Sequence, residues 1–205
     1  MKEILNSTEG YSLGKLPLPC AFTHNGEIHC DDVFAAVILD MAFRGELTLF
    51  RLPEIPESFN SPTLIFFGIG GGPFDPASPD APVRGGGKKY STAGLVWKRF
   101  GKAVLRKAEA PGKYTDLIAD KVYKDFIRYI DNAVNGDFKF EHEQSFFIKQ
   151  FNDLNNGWGD TDEDSNKAFN EMFRYAHNIF NSYLQREIAY WKKKKPYKGT
   201  HGGAH

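Results

Sequence analysis

Cysteine is scarce in this chain, with only Cys20 and Cys30 among 205 residues. That excludes a disulfide-stapled scaffold, and two thiols in such a setting are expected free and packed, as in a reducing cytoplasm. An excess of either charge sign is also missing, since 26 basic residues face 26 acidic ones. No global field therefore draws the chain to nucleic acid or membrane, and any such attraction must be local. No apolar run is long enough to span a bilayer, and no leader of signal-peptide type is expected. Aromatics are not scarce: they make up 15% of the chain, with 18 Phe, which excludes a disordered chain and predicts a packed core.

Periodicity predicts an α/β fold. After the prolines of Leu16 to Pro19 comes a short apolar segment, Cys20 to Thr23, read as a strand. The polar loop that follows leads to Asp31 and Asp32, where a helix should begin, and then to Val33, Phe34, Val37, Ile38 and Met41 at helical spacing. LTLFRL (Leu47 to Leu52) and the continuous apolar run TLIFFGI (Thr63 to Ile69) read as further strands. Strand, helix and strand in this order imply a parallel sheet whose ligands bind beyond the carboxyl ends of its strands.

Beyond the Gly- and Pro-rich loop Gly70 to Gly87 the pattern turns helical. Helices are expected from Thr92 to Arg106 and from Thr115 to Val134, the latter with Leu117, Ile118, Val122, Phe126, Ile127 and Ile130 on one face. A last helix, Ser165 to Trp191, carries an apolar stripe from Phe169 to Trp191, expected to be core or a partner seam. The expected organisation is one domain over 1–205: a strand-rich part to residue 90, a helical part over 91–191, and a basic tail from 192. No internal repeat is found.

Three features carry chemistry. His24, His29 and Asp31, with Asp32, lie at a strand end and a helix start, where ligands for a divalent ion can converge; the alternative is a capped helix with locally bonded histidines. GIGGGP (Gly68 to Pro73) follows a strand but fails the dinucleotide fingerprint, because Pro73 replaces the last glycine. The segment from Arg84 to Lys107 holds Arg84, Lys88, Lys89 and five further cations with no acidic residue, suiting phosphate or, equally, a solvated basic face.

THNGEIHCDDVFAAVIL (Thr23 to Leu39) resembles the opening motif of the melanocyte-proliferating-gene (Myg) exonuclease family of the DHH phosphoesterase superfamily, which typically reads THNGxFHCDE. YSTAGLVWKRFG (Tyr90 to Gly101), KVYKDFIRYIDNAVNG (Lys121 to Gly136) and FNDLNNGWGDTDEDSNKAFNEMF (Phe151 to Phe173) resemble later blocks of that family, in the same order. The resemblance implies a Rossmann-like DHH domain that binds divalent metal, usually manganese, and hydrolyses phosphodiesters of RNA from the three-prime end.

It also implies residue roles. His24, His29 and Asp31 match the family's metal ligands, and Asp32 replaces its glutamate. Gly68 or Ile69 stands where the second motif has an aspartate, and Asp80-Ala81-Pro82 stands where the aspartate-histidine-histidine signature falls. Asp131 matches the fourth block, while Val134 replaces that block's second aspartate. Gly, Ala, Pro and Val coordinate no cation, so one ion is expected rather than two. Asp32, Asp75, Asp80 and Asp131 are the expected supporting ligands or bases, and Arg84, Lys88 and Lys89 the residues that steer phosphate. The expected ligand is a phosphate-bearing small molecule or an RNA end. The family continues into a second, substrate-gripping domain, expected here from a second copy or another protein. The other expectation is a catalytically inactive relative that binds a nucleotide, a nucleic-acid end or a protein in the same cleft.

Overall fold

The computed structural model of the protein describes residues 1–59, 61–137 and 161–194. His142, the first part of the Phe151 to Phe173 block, and the tail with Lys195, His201 and His205 lie outside the described residues.

Four strands form one parallel sheet: β1 (Glu3–Leu5), β2 (Cys20–His24), β3 (Thr48–Leu52) and β4 (Ile65–Phe66), in the order β1-β3-β2-β4. Register pairs Phe22 with Phe50 and Phe66, and Thr23 with Arg51. Alternation sends Ala21 and Leu49 to the main core under the helices, whereas Phe22 and Phe50 stack at 4.9 Å in a smaller cluster with Leu16 and Phe59 on the other face. Strands buried on both faces are what a parallel sheet requires.

Two strands differ from expectation. β1 was not foreseen, because three residues are too few to show a period; it pairs in parallel with β3 over Glu3 to Leu5. The run Thr63 to Ile69 pairs only over Ile65–Phe66. Phe67 still donates to Phe22 O at 3.0 Å, but Gly68 takes a left-handed φ of +65° and its N–H bonds Phe74 O, so the chain turns there.

Helix α1 (Cys30–Ala42) buries every residue except Met41, so it is a central helix and not one with a single apolar face. Its N-cap is His29, which places Asp31 and Asp32 inside the first turn and not at the cap. There their charge favours the amino end of the helix dipole. Helix α2 (Thr92–Lys107) is capped by Ser91, whose hydroxyl accepts from Gly94 N at 3.2 Å. Helices α3 (Thr115–Val122) and α4 (Arg128–Val134) join through a π-helical turn, Tyr123–Ile127. Of the face expected on them, Ile118, Val122, Ile127 and Ile130 are buried, but Leu117 is 55% exposed because it falls about a third of a turn off the line of Ile118 and Val122. Helix α5 (Asp162–Lys193) begins at a Thr161 cap, and its stripe of Phe169, Met172, Ala176, Phe180, Leu184 and Ile188 fills the core against α1 to α4. No helix among the described residues is long and apolar enough to cross a membrane.

Candidate functional site

The connection β2–α1–β3 runs to one side of β2, and β4 then lies on the other side of it. The crevice past the carboxyl ends of β2 and β4 is therefore the point where the winding reverses, the usual place for a ligand in such sheets.

His24 ends β2 and Asp32 projects from the first turn of α1. Their side chains meet there, His24 Nε2 to Asp32 Oδ2 at 2.9 Å. That hydrogen bond holds the His24 pKa above its usual 6.5, against an opposing effect of burial. The other oxygen, Asp32 Oδ1, is buried and has no hydrogen-bond partner among the described residues. It lies against Gly68, where a side chain's Cβ would stand. The ring of His29 is 5.6 Å from that of His24, and His29 is exposed.

Asp31 faces elsewhere. It is 4% exposed, and its Oδ2 accepts from Thr92 N at 2.9 Å, tying α1 to the start of α2. Burial, and then the neighbouring Asp32, push its pKa up to about 7. Of the two adjacent aspartates, Asp32 therefore faces the histidine and Asp31 serves as an inter-helix clamp.

Asp131 is fully buried and accepts from Ser91 N (2.9 Å), Ser91 Oγ (2.7 Å) and Tyr123 OH (2.9 Å). Its carboxylate fills the space a Cβ on Gly94 would need. Burial raises its pKa although each of those donors opposes the rise. Asp75 closes the glycine loop on itself, accepting from Gly71 N at 2.9 Å and Ala77 N at 2.8 Å. Asp80 is exposed on that loop.

Arg84 donates to Lys89 O, Asn132 Oδ1 and Asp137 Oδ2, pinning its loop to α4. Lys88 is half-exposed with Asp137 Oδ1 at 3.4 Å, and Lys89 is exposed. The structure thus brings His24, His29 and Asp32 to one crevice, while Asp31, Asp75, Asp131 and Arg84 are engaged in holding backbone.

Arg51 was missed by sequence reasoning. It is 1% exposed on β3, donates to Ser165 Oγ (3.1 Å), Asn166 Oδ1 (2.9 Å) and Gly26 O (3.3 Å), and sits 4.7 Å over the Phe169 ring. It anchors the loop between His24 and His29 to the start of α5, and its charge lowers the His24 pKa. The available signal was one arginine inside LTLFRL, two residues from Leu49 and so on the same inward face.

These donors do not fit a two-ion centre. Among the described residues no three His, Cys, Asp or Glu side chains are placed to hold an ion together. Gly68 offers no carboxylate to bridge two cations, and both oxygens of Asp75 and of Asp131 already accept hydrogen bonds. What remains is one imidazole paired with a carboxylate whose second oxygen has no hydrogen-bond partner among the described residues.

Known proteins bear on this geometry. No solved structure gives a significant match. A MYG1 exonuclease of Rattus norvegicus is 26% identical over 191 residues, covering 80% of this chain and 48% of the rat protein. A MYG1 exonuclease of Homo sapiens is 26% identical over 196 residues, covering 80% of this chain and 49% of the human protein. A MYG1 protein of Caenorhabditis elegans is 23% identical over 195 residues, covering 82% of this chain and 56% of the nematode protein. The chain thus spans about half the length of the curated relatives it matches. The model of the MYG1_exonuc family, described as "Uncharacterised protein family (UPF0160)", matches residues 20–199, a stretch that holds the His24–Asp32 pair, the glycine loop, the basic segment and α5, and the chain belongs to that family.

Proposed function

We propose that this domain belongs to a metal-dependent phosphodiester hydrolase of the exonuclease kind, of the DHH type, which receives an RNA end or a nucleotide in the crevice beyond β2 and β4. The observation that carries the reading is the His24–Asp32 pair with the unsatisfied, buried Oδ1 of Asp32 at the winding reversal. An unmet buried acceptor costs about 1–3 kcal/mol, which a ligand supplying positive charge or a donor would recover. His24 and Asp32, with His29 beside them, would hold one divalent ion, manganese by the family resemblance. A bound ion of this kind supplies a polarised phosphoryl oxygen and a more acidic water.

The chain's own residues prepare the site. Asp31 fixes the α1 start against α2, so the Asp32 carboxylate is presented at a constant depth. Arg51 holds the His24–His29 loop through Gly26 O, which limits where His29 can move. Lys88 and Lys89 are exposed ammonium groups on the loop before α2, suited to attract a polyanion without reading bases. The names of the rat and human relatives support the exonuclease class.

A second reading is favoured by Gly68: with no carboxylate there, the same crevice binds a phosphate ligand and does not cut it. Manganese titrated into chelator-treated protein should raise the unfolding temperature, because a ligand that prefers the folded state must stabilise it. His24→Ala and Asp32→Asn should abolish that rise, and wild type should shorten end-labelled RNA from its three-prime end. Absence of any manganese effect overturns the ion. RNA that is bound but left intact selects the second reading.

A further inference from the structure

A cavity of about 590 Å³ opens between the glycine loop and α2, adjoining the crevice without being part of it. Its floor is apolar, from Phe74 and Leu95, and its rim carries Asp80, Lys98 and Arg99. The two sites share backbone. Gly68, which packs against Asp32, donates to Phe74 O at 3.0 Å, and Thr92, which holds Asp31, starts the helix that carries Leu95, Lys98 and Arg99. Asp75 holds the loop wall in shape through Gly71 N and Ala77 N.

The charges on the rim do not neutralise one another. Among the described residues neither Lys98 nor Arg99 forms an ion pair, and neither does Asp80. The Lys98 ammonium lies 5.1 Å over the Tyr90 ring, which restrains it, and Arg99 lies 5.8 Å over Phe100. Restrained, unpaired cations beside an apolar floor complement an anion attached to a flat apolar body, and the volume falls in the range of ligand pockets. A lone carboxylate on the same rim adds an acceptor for hydroxyl groups.

We propose that this cavity is a nucleoside-phosphate subsite: Phe74 and Leu95 receive the base, Lys98 and Arg99 the phosphate, and Asp80 the ribose hydroxyls. It rests on the proposed function for the choice of nucleotide as ligand, and it predicts that the RNA chain runs from the His24–Asp32 crevice along the glycine loop to α2. Acceptance of the 2′-hydroxyl by Asp80 would favour ribose over deoxyribose.

Calorimetric titration of the full chain with AMP, dAMP, adenosine and inorganic phosphate tests it. AMP should bind, with adenosine and phosphate each weaker by about tenfold or more, because each keeps half of the contacts. Lys98→Ala combined with Arg99→Ala, both exposed, should weaken AMP by about tenfold or more at an unchanged unfolding temperature. Asp80→Ala should erase the preference for AMP over dAMP. No AMP binding at millimolar concentration overturns the subsite, as does AMP binding kept within about twofold in the Lys98→Ala, Arg99→Ala double variant. RNA left intact while AMP binding still depends on Lys98 and Arg99 keeps the subsite and overturns only the hydrolysis.

Discussion

Asp32 and Asp131 are both buried carboxylates at helix junctions, yet their surroundings differ in the way that separates a scaffold from a site. Asp131 is surrounded by donors: a backbone N–H, a serine hydroxyl and a tyrosine hydroxyl, with Arg84 Nε at 3.9 Å. Asp32 has one imidazole on one oxygen and, among the described residues, no hydrogen-bond partner on the other, which looks onto a glycine in a crevice. Folding tolerates an unmet acceptor where something else repays it, and a ligand is the natural candidate. The first carboxylate holds α2, the π-turn and α4 together; the second keeps capacity in reserve.

Breaking the scaffold should have the largest effect. Asp131→Ala strands the two buried donors of Ser91 and the half-buried Tyr123 hydroxyl and removes the space-filling group under Gly94, and should cost about 3 kcal/mol or more, read from urea unfolding. A loss under about 1 kcal/mol would erase the distinction between the two carboxylates.

Next comes the pH response of Asp31, the clamp between them. Its folded pKa of about 7 lies above the ordinary 3.8, so the folded state binds its proton more tightly than the unfolded chain does. Stability from this group is therefore fully present below about pH 4 and declines as pH rises through about 7. Chelator-treated Asp31→Asn should show a flatter decline than wild type across that window, followed by thermal unfolding at fixed ionic strength.

Asp32→Asn should be milder for folding, within about 1 kcal/mol, because among the described residues one of its two oxygens makes no hydrogen bond to lose. The same variant should lose all stabilisation by manganese, and that split between stability and ion response sharpens the comparison. Lys88→Ala should move stability least, within about 0.5 kcal/mol, since its half-exposed pair with Asp137 at 3.4 Å is screened by solvent. Denaturant midpoints resolve both.

Much of the framework was legible because it rests on local pattern. The helices α2 and α5, the strand–loop–helix–strand unit around α1 and the apolar stripe of α5 follow from side-chain period, and so does the position of His24, His29, Asp31 and Asp32 between the end of one strand and the first turn of one helix. The site's division of labour was not legible. Adjacent residues on a helix point about 100° apart, so Asp31 and Asp32 had to diverge, but which of them met His24 depended on where α2 begins. Asp75 and Arg84 looked like chemistry because of their residue types, and their positions instead pin the glycine loop and its continuation. Arg51 was hidden because its partners, Ser165 and Asn166, are more than a hundred residues away.

By itself, the sequence determined a parallel α/β domain with a helical second half, a polar cluster at the end of its central strand and membership of a family with that motif. Those properties depend on residue order over short spans. Tertiary structure alone decided that Asp32 and not Asp31 faces the histidine, that Asp131 is fully satisfied, and that Lys98 and Arg99 share a cavity with Asp80. Each is a matter of which distant donors reach a given atom, and the packing of α1 against α2 sets that.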